Sequence, residues 1–383
     1  MTRPLRIGLN LVYWERDSGG SARYARELIR GLLDLEPRLE ITAFVSRSLP
    51  EDAMVEPWAP AVRWWRFDVP ASGTPAHFWP QLAGIAVAAA RLRLDLVHGL
   101  AYLAPPVMPG TAMLVTVLDT IWMQYPGSVN RRFRLLMGAL APLCARAADR
   151  VLAISNDAAR DLTARLAVPA AKIDVTPLGI RPVGPPAAAD ADQVRSRFGL
   201  SRRPVILCVA QKRVHKNLAT LLRAVAEMTE EAPQVVLPGS PTAHEDELRS
   251  LASQLGVADR VLFPAWVSEE ELDGLYAMAA CFCLPSFSEG FGLPVLEAMV
   301  RGVPVVCADA AALPEVAGDA ALLFDPHDHR ALAAALRRVI AEPGLAADLA
   351  QRGRARAREY TWERTARATL AAYRRATEGR AGA

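Results

Sequence analysis

Two glutamates, Glu289 and Glu297, stand with seven residues between them in Ser286-Phe-Ser-Glu-Gly-Phe-Gly-Leu-Pro-Val-Leu-Glu-Ala-Met299. The spacing alone means little, and the surroundings give it chemical content. Cys281-Phe-Cys-Leu284 reads as a short buried strand, the next four residues as a loop, and Pro294 as the first residue of a helix, where a missing N–H costs nothing. Glu289 is then on a loop at a strand's carboxyl end, and Glu297 lies about a turn into a helix. Gly290 and Gly292 allow a ligand close to the backbone, and the N–H groups and positive end of the helix suit a diphosphate. Phe291 and Leu293 complete this loop-to-helix segment. Carboxylates beside such a site accept hydrogen bonds from ribose or sugar hydroxyls, so the segment fits a nucleotide sugar. The competing reading is two capping glutamates.

A second loop points the same way. The apolar run 205–209 is followed by Ala210-Gln-Lys-Arg-Val-His-Lys-Asn217 and a helix, which places Lys212, Arg213 and Lys216 at a strand's carboxyl end. The whole chain has only three lysines, Lys172, Lys212 and Lys216, so two of them in one loop is a concentration of charge that wants a polyanion. A solvated basic turn is the alternative. Near the amino end, Gly19 and Gly20 precede a helix expected to start near Ser21; they permit tight backbone approach, but the third glycine of a dinucleotide fingerprint is missing. His98 closes the run Leu94-Asp-Leu-Val-His98, where a structural hydrogen bonder and a sugar-binding group are both open readings. Trp266 and Val267, in Pro264-Ala-Trp-Val267, follow another short strand, and Trp266 could cover the face of a base or pack in the core.

The elements that must position these groups alternate. Strands are expected at 5–11, 40–45, 94–98, 113–118 and 150–154, then at 205–209, 234–238, 261–263, 281–284, 304–307 and 321–324, with amphipathic helices between. That alternation predicts an α/β protein with parallel sheets covered by helices. The proline- and alanine-rich stretch after Arg181 separates the two sets. We therefore expect a doubly wound, Rossmann-like domain over 1–182, a linker over 183–202, a second such domain over 203–358, and a final helical segment over 359–383 beginning near Trp362. Ligands of such sheets bind beyond the carboxyl ends of the strands, so two facing domains would form a cleft.

The 383 residues are 52% hydrophobic, enough for two cores. The formal net charge of +3, from 44 basic and 41 acidic residues, gives no electrostatic case for nucleic acid. Five cysteines without Cys-x-x-Cys spacing read as reduced core residues of a cytoplasmic protein. No secretory leader is visible, and the longest apolar region, 135–148, contains Pro142 and Arg146 and falls short of a membrane span. The basic, apolar stretch Asn130-Arg-Arg-Phe-Arg-Leu-Leu-Met137 reads either as a solvated helix face or as peripheral contact with the inner face of a membrane.

The segment from Ser286 to Met299 resembles the donor-binding signature of retaining glycosyltransferase family 4, whose fold is GT-B: two Rossmann-like domains facing across an interdomain cleft. The likeness extends in spacing from residue 5 to about residue 374 and includes a group 1 glycosyltransferase C-terminal domain. It implies that Glu289 approaches the donor sugar, Glu297 the ribose, and Lys216 with Lys212 or Arg213 the diphosphate. It further implies a flexing Gly19-Gly20 pair near the reacting sugar, base reading by the backbone at Trp266 and Val267, and a final helix that packs back on the N-terminal domain. A His-Asp pair is usual after the strand at 113–118; here Asp119 is in register but Leu118 replaces the histidine, and His98 is the nearest candidate substitute. The implied activity is metal-independent transfer, with no cofactor, of a sugar from a nucleoside diphosphate sugar to a glycan, lipid-linked or small-molecule acceptor. The likeness to bacterial surface-polysaccharide enzymes, including mannosyltransferases, is one of analogy.

Two metal-like patterns are set aside. Asp190-Ala-Asp192 has no adjacent strand, and His327-Asp-His329 reads as a helix start capped by Asp328. Leu118 also motivates an alternative: a nucleotide-sugar-binding subunit that has lost transfer and regulates a partner enzyme. A GT-B sugar-nucleotide epimerase is a third reading.

Overall fold

Apolar runs such as Ala112–Val117, Cys281–Leu284 and Val305–Ala308 become buried parallel strands. In the computed structural model, residues 3–15, 19–72, 74–183, 191–230 and 232–381 are described. They divide into two compact units, one of Met1–Gly179 with Thr361–Ala383 and one of Ile180–Tyr360.

The first unit holds β1 (Arg6–Leu11), β2 (Glu40–Val45), β3 (Val62–Arg66), β4 (Leu96–Gly99), β5 (Ala112–Val117), β6 (Arg150–Ala153) and β7 (Ile173–Val175) in one sheet of order β3-β2-β1-β4-β5-β6-β7. Every neighbouring pair is parallel. Its helices are α1 (Gly19–Leu35), α2 (Ile85–Leu92), α3 (Ile121–Gln124), α4 (Arg131–Ala147) and α5 (Asn156–Leu166). The second unit contains α6 (Ala191–Phe198), β8 (Val205–Leu207), α7 (Leu218–Ala226), β9 (Gln234–Val236), α8 (His244–Gln254), β10 (Val261–Leu262) and α9 (Glu269–Met278). It continues through β11 (Cys281–Leu284), α10 (Leu293–Val300), β12 (Val305–Ala308), α11 (Leu313–Ala317), β13 (Ala321–Phe324), α12 (His329–Ala341) and α13 (Pro343–Ala357). Its sheet runs β10-β9-β8-β11-β12-β13, again all parallel. Both orders reverse direction once, between β1 and β4 and between β8 and β11. Those reversals are where ligands of doubly wound sheets sit.

The last helix, α14 (Trp362–Ala381), belongs to the first unit and packs on α1. Glycine makes the approach feasible: a Cβ on Gly31 would lie 2.9 Å from Ala366 Cβ, and one on Gly179 only 2.2 Å from the Trp362 amide nitrogen.

The structure departs from several expectations and meets others, the Asp328 cap and the buried cysteines among them. β3 and β7 were not expected: β3, Val-Arg-Trp-Trp-Arg, is an edge strand with no apolar run, and β7 has only three residues. Helix α6 occupies part of the span 183–202 expected as linker, because Val194 buries its side chain; residues 184–190, including Asp190, lie outside the described residues. Helix α10 starts at Leu293, so Pro294 is its second residue. Asp328 caps α12 by accepting from the Arg330 and Ala331 amides, both at 2.9 Å. All five cysteines are buried free thiols, and burial pushes those of Cys208, Cys281 and Cys307 up to about 12.

Candidate functional site

The reversal in the second sheet joins the loops that leave β8 and β11. After β8 the chain makes a single turn, Val214–Lys216, and enters α7 through Asn217, which takes left-handed angles (φ 54°, ψ 34°) that asparagine tolerates better than most residues. Asn217 Nδ2 donates to the carbonyls of Pro285 (2.9 Å) and Pro326 (2.8 Å), and its Oδ1 accepts from Thr220 Oγ1 at 2.7 Å. The Phe287 amide donates to the His215 carbonyl at 2.9 Å. These bonds lock the two loops together and set Lys216 against Glu289.

Lys216 Nζ donates to both carboxylate oxygens of Glu289 at 2.8 Å, and Ser286 Oγ donates to Oε1 at 2.6 Å. Glu289 is 8% exposed, so its charge depends on these partners. Lys216 keeps 18% of its side chain exposed while paired. Burial, followed by the Lys216 charge, lowers the neighbouring His215 to about 4, which keeps its imidazole neutral at pH 7.

Gly292 (φ 103°) caps α10 in a conformation that L side chains rarely adopt, and a Cβ there would fall 2.7 Å from Leu313 Cδ2. The start of α10 therefore meets the loop with bare backbone, the arrangement that suits a diphosphate oxygen. Glu297, half-buried on α10, accepts from Tyr276 Oη at 3.3 Å. Arg301 braces this face: its Nη1 donates to the Glu297 carbonyl at 3.0 Å, its Nε to Asp273 at 3.0 Å, and its guanidinium covers the Tyr276 ring at 4.6 Å. Gly290 and Leu293 are half-buried beside them. Phe291 is different. It is buried edge-on to Tyr360 at 5.6 Å, so it packs the core instead of facing a ligand.

Lys212 is a correction of the same kind. Its side chain is fully buried, and Nζ donates to the carbonyls of Gly239 and of Pro264 (3.2 Å), with Glu245 at 3.8 Å. Burial lowers its pKa, opposed by Glu245. An ammonium so enclosed holds together the loops that leave β8, β9 and β10 and has no surface to offer a phosphate. Gly239 (φ 146°) makes this approach feasible, since a Cβ there would lie 2.3 Å from the Ala210 carbonyl oxygen. Arg213 lies half-exposed on the same loop, with Nε on Gln211 Oε1 at 2.9 Å. Trp266, just past the Pro264 carbonyl that Lys212 holds, is 74% exposed, and Val267 is half-buried. The core reading of Trp266 is thereby excluded.

In the first unit, the reversal lies between β1 and β4. Asn10 Nδ2 donates to the Leu103 carbonyl (2.9 Å) and Gln81 Oε1 (3.2 Å), and a Cβ on Gly99 would meet the Leu103 carbonyl oxygen at 2.2 Å. Asp119 accepts from Tyr102 Oη at 3.1 Å and the Ile121 amide at 3.0 Å; Leu118 beside it is half-buried. Gly19 and Gly20 are exposed at the first turn of α1, and a Cβ on either would meet nothing within 4 Å. His98 does not serve as the missing histidine. It is fully buried, with Nδ1 bonded to Tyr373 Oη and Nε2 to Thr116 Oγ1, both at 2.8 Å. Burial lowers its pKa to about 3. Both ring nitrogens are occupied in tying α14 to the sheet, a pairing across 275 positions that no local pattern announces.

Comparison with known proteins agrees with this architecture. Residues 18–183 match the family described as Glycosyltransferase Family 4, and residues 190–356 match Glycosyl transferases group 1. A D-inositol 3-phosphate glycosyltransferase of Acidothermus cellulolyticus is 30% identical over 372 residues, covering 91% of this chain and 75% of its own length. One from Xylanimonas cellulosilytica is 33% identical over 245 residues, covering 61% and 58%. The chain spans little more than half the length of most curated relatives it matches. Among solved structures, sucrose-phosphate synthase from Thermosynechococcus elongatus superposes with a TM-score of 0.76 at 23% identity, covering 99% of this chain and 100% of that one. Anabaena Alr3699/HepE in complex with UDP and glucose gives 0.73 at 17%, covering 95% and 97%. Two all-parallel sheets with one reversal each, this structural likeness and the near full-length relative lead to one assignment: the chain belongs to glycosyltransferase family 4 and has the GT-B fold.

Proposed function

We propose that this chain moves a sugar from a nucleoside diphosphate sugar to an acceptor hydroxyl and binds the donor on its second unit. The observation that carries the reading is the Lys216–Glu289 pair at the reversal between β8 and β11, next to the glycine-capped start of α10. A diphosphate brought to that helix start meets backbone N–H groups and the exposed part of the Lys216 ammonium. Glu289 then has oxygens for sugar hydroxyls, and Glu297 for the ribose. In the transfer, the bond between the anomeric carbon and the phosphate oxygen breaks as the acceptor oxygen bonds the same carbon. The acceptor proton passes to the departing phosphate. Attack from the face of departure retains configuration, which suits a site whose cations are built around the leaving group. Because Lys216 supplies positive charge there, no metal is required in this scheme.

The names of the relatives make a phosphorylated polyol the first acceptor to test, followed by glycan and lipid-linked acceptors of cell-surface polysaccharide synthesis. Reduced, buried cysteines and a nucleotide-sugar donor favour a cytoplasmic setting. Purified protein offered UDP-, GDP-, ADP- and dTDP-sugars with EDTA, with mass spectrometry of the products, tests the proposal. Selective binding that Glu297→Ala abolishes, with slow release of nucleoside diphosphate, is the expected result; equal, weak binding of all four would contradict it. A second reading, a binding subunit without transfer, is favoured by Leu118 together with the engagement of both His98 nitrogens. Selective binding with no release under any acceptor would establish it.

A further inference from the structure

The amino ends of β1 and β2 and one side of α14 enclose a cavity of about 180 Å³ in the first unit, at the opposite edge of the sheet from its carboxyl-end loops. Arg3 precedes β1, Arg38 precedes β2, and Arg374 projects from α14 between Leu370 and Thr377. Positions 370, 374 and 377 share one stripe of a helix, so α14 presents them together. Leu39 and Leu370, both buried, give the cavity an apolar wall, while the three arginines are exposed.

The charge around this cavity is unbalanced. Glu36 is its one carboxylate against three guanidiniums, and it accepts from Arg38 Nε at 3.4 Å. Arg3 pairs with Asp95, outside the lining. Among the described residues no carboxylate pairs with Arg374. The Thr377 hydroxyl is turned to the Tyr373 and Arg374 carbonyls, both at 3.0 Å, so the guanidiniums are the side-chain donors left for a ligand. Gathering like charges around one space is unfavourable unless an anion offsets them.

We infer that this cavity binds a phosphate group, free or as a monoester, between Arg3, Arg38 and Arg374. The planar fork of a guanidinium matches two phosphate oxygens at once, and the wall of Leu39 and Leu370 suits the body of an ester. A phosphate there bridges α14 to the starts of two strands. Tyr373, next to Arg374, already ties the same helix to His98 at 2.8 Å. Occupancy therefore stabilises the docked form of α14 by mass action. The site is far along the strands from their carboxyl ends, and the inference is independent of the donor chemistry.

The test is calorimetric titration of the full chain with inorganic phosphate and with phenyl phosphate, backed by Tm in each. Arg38→Gln/Arg374→Gln should raise the Kd roughly thirtyfold and lose the anion-dependent part of the Tm rise. Phosphate raises the Tm of many proteins by exclusion from their surface, so the difference between wild type and variant is the readout. Tighter binding of phenyl phosphate would identify a monoester as the ligand, and equal binding free phosphate; either supports the site. Lys216→Met and the charge-matched variant Arg160→Gln/Arg165→Gln should both bind as wild type does. Loss of binding in Lys216→Met alone would overturn the inference by placing the anion in the second unit. Equal weakening in the two double variants would overturn it as well, because the attraction would then be diffuse, and so would absence of binding to wild type.

Discussion

The two sheets reverse at equivalent places and use them differently. Between β1 and β4 the chain fills the space with its own neutral groups: Asn10 bonds the Leu103 carbonyl and Gln81, and Gly99 is pressed against the same Leu103 carbonyl. Between β8 and β11 it sets a lysine against a glutamate beside a bare helix start. Self-satisfied polar groups rigidify a fold, whereas a charged pair with residual exposure can exchange part of its interaction for a ligand. The polar groups of the first unit should therefore act mainly on stability, and those of the second mainly on donor binding.

The largest expected effect breaks that contrast directly. Glu289→Gln removes the charge that pairs with Lys216 and weakens the acceptor for sugar hydroxyls, so kcat/KM should fall roughly 10³-fold, measured by release of nucleoside diphosphate. His98→Phe should do the reverse: loss of two buried hydrogen bonds should cost about 3 kcal/mol in denaturant unfolding, with donor affinity unchanged. A changed affinity would erase the distinction between the two units. Lys212→Met lies between, since the buried ammonium supports the loop before Trp266; it should cost about 2 kcal/mol and raise donor KM severalfold with little change in kcat.

Acid acts on the stability of both units. His98 and His215 have folded-state values of about 3 and about 4, below the ordinary 6.5. Below pH 6.5 the unfolded chain takes up these protons while the folded chain does not. Stability present above that pH is lost as pH falls, by about 1.4 kcal/mol per pH unit for each histidine, until each folded-state value is reached. Denaturant titration from pH 7 to about pH 4 should show the loss, and His98→Phe should remove one share of the slope. The smallest effect concerns Trp266. Because it is largely exposed, Trp266→Ala should change stability by less than about 0.5 kcal/mol, yet weaken donor binding about tenfold where the ring covers a base.

Much of this was legible from sequence because the informative groups are local. Gly290, Gly292 and Glu289 sit on one strand-to-helix connection, and Lys216 on another, so alternation of elements was enough to bring both to strand ends. What escaped depended on long-range burial. Lys212 and Lys216 are four positions apart in one loop, and nothing local says that one is enclosed by carbonyls from the loops that leave β9 and β10 while the other faces Glu289. Phe291 stands between Gly290 and Gly292 in the loop but turns to Tyr360. His98 looks like a strand-end ligand until Tyr373 arrives from the last helix. Strands β3 and β7 escaped because edges need no apolar run.

The most direct measurement is calorimetric titration of UDP, GDP, ADP and dTDP into wild type and Lys216→Met, with His98→Phe as a first-unit control. The account predicts that one diphosphate binds wild type, that its Kd rises roughly a hundredfold in Lys216→Met, and that His98→Phe binds as wild type does. Binding that survives Lys216→Met unchanged, or that His98→Phe abolishes while folded, would contradict the placement of the donor diphosphate at the reversal between β8 and β11.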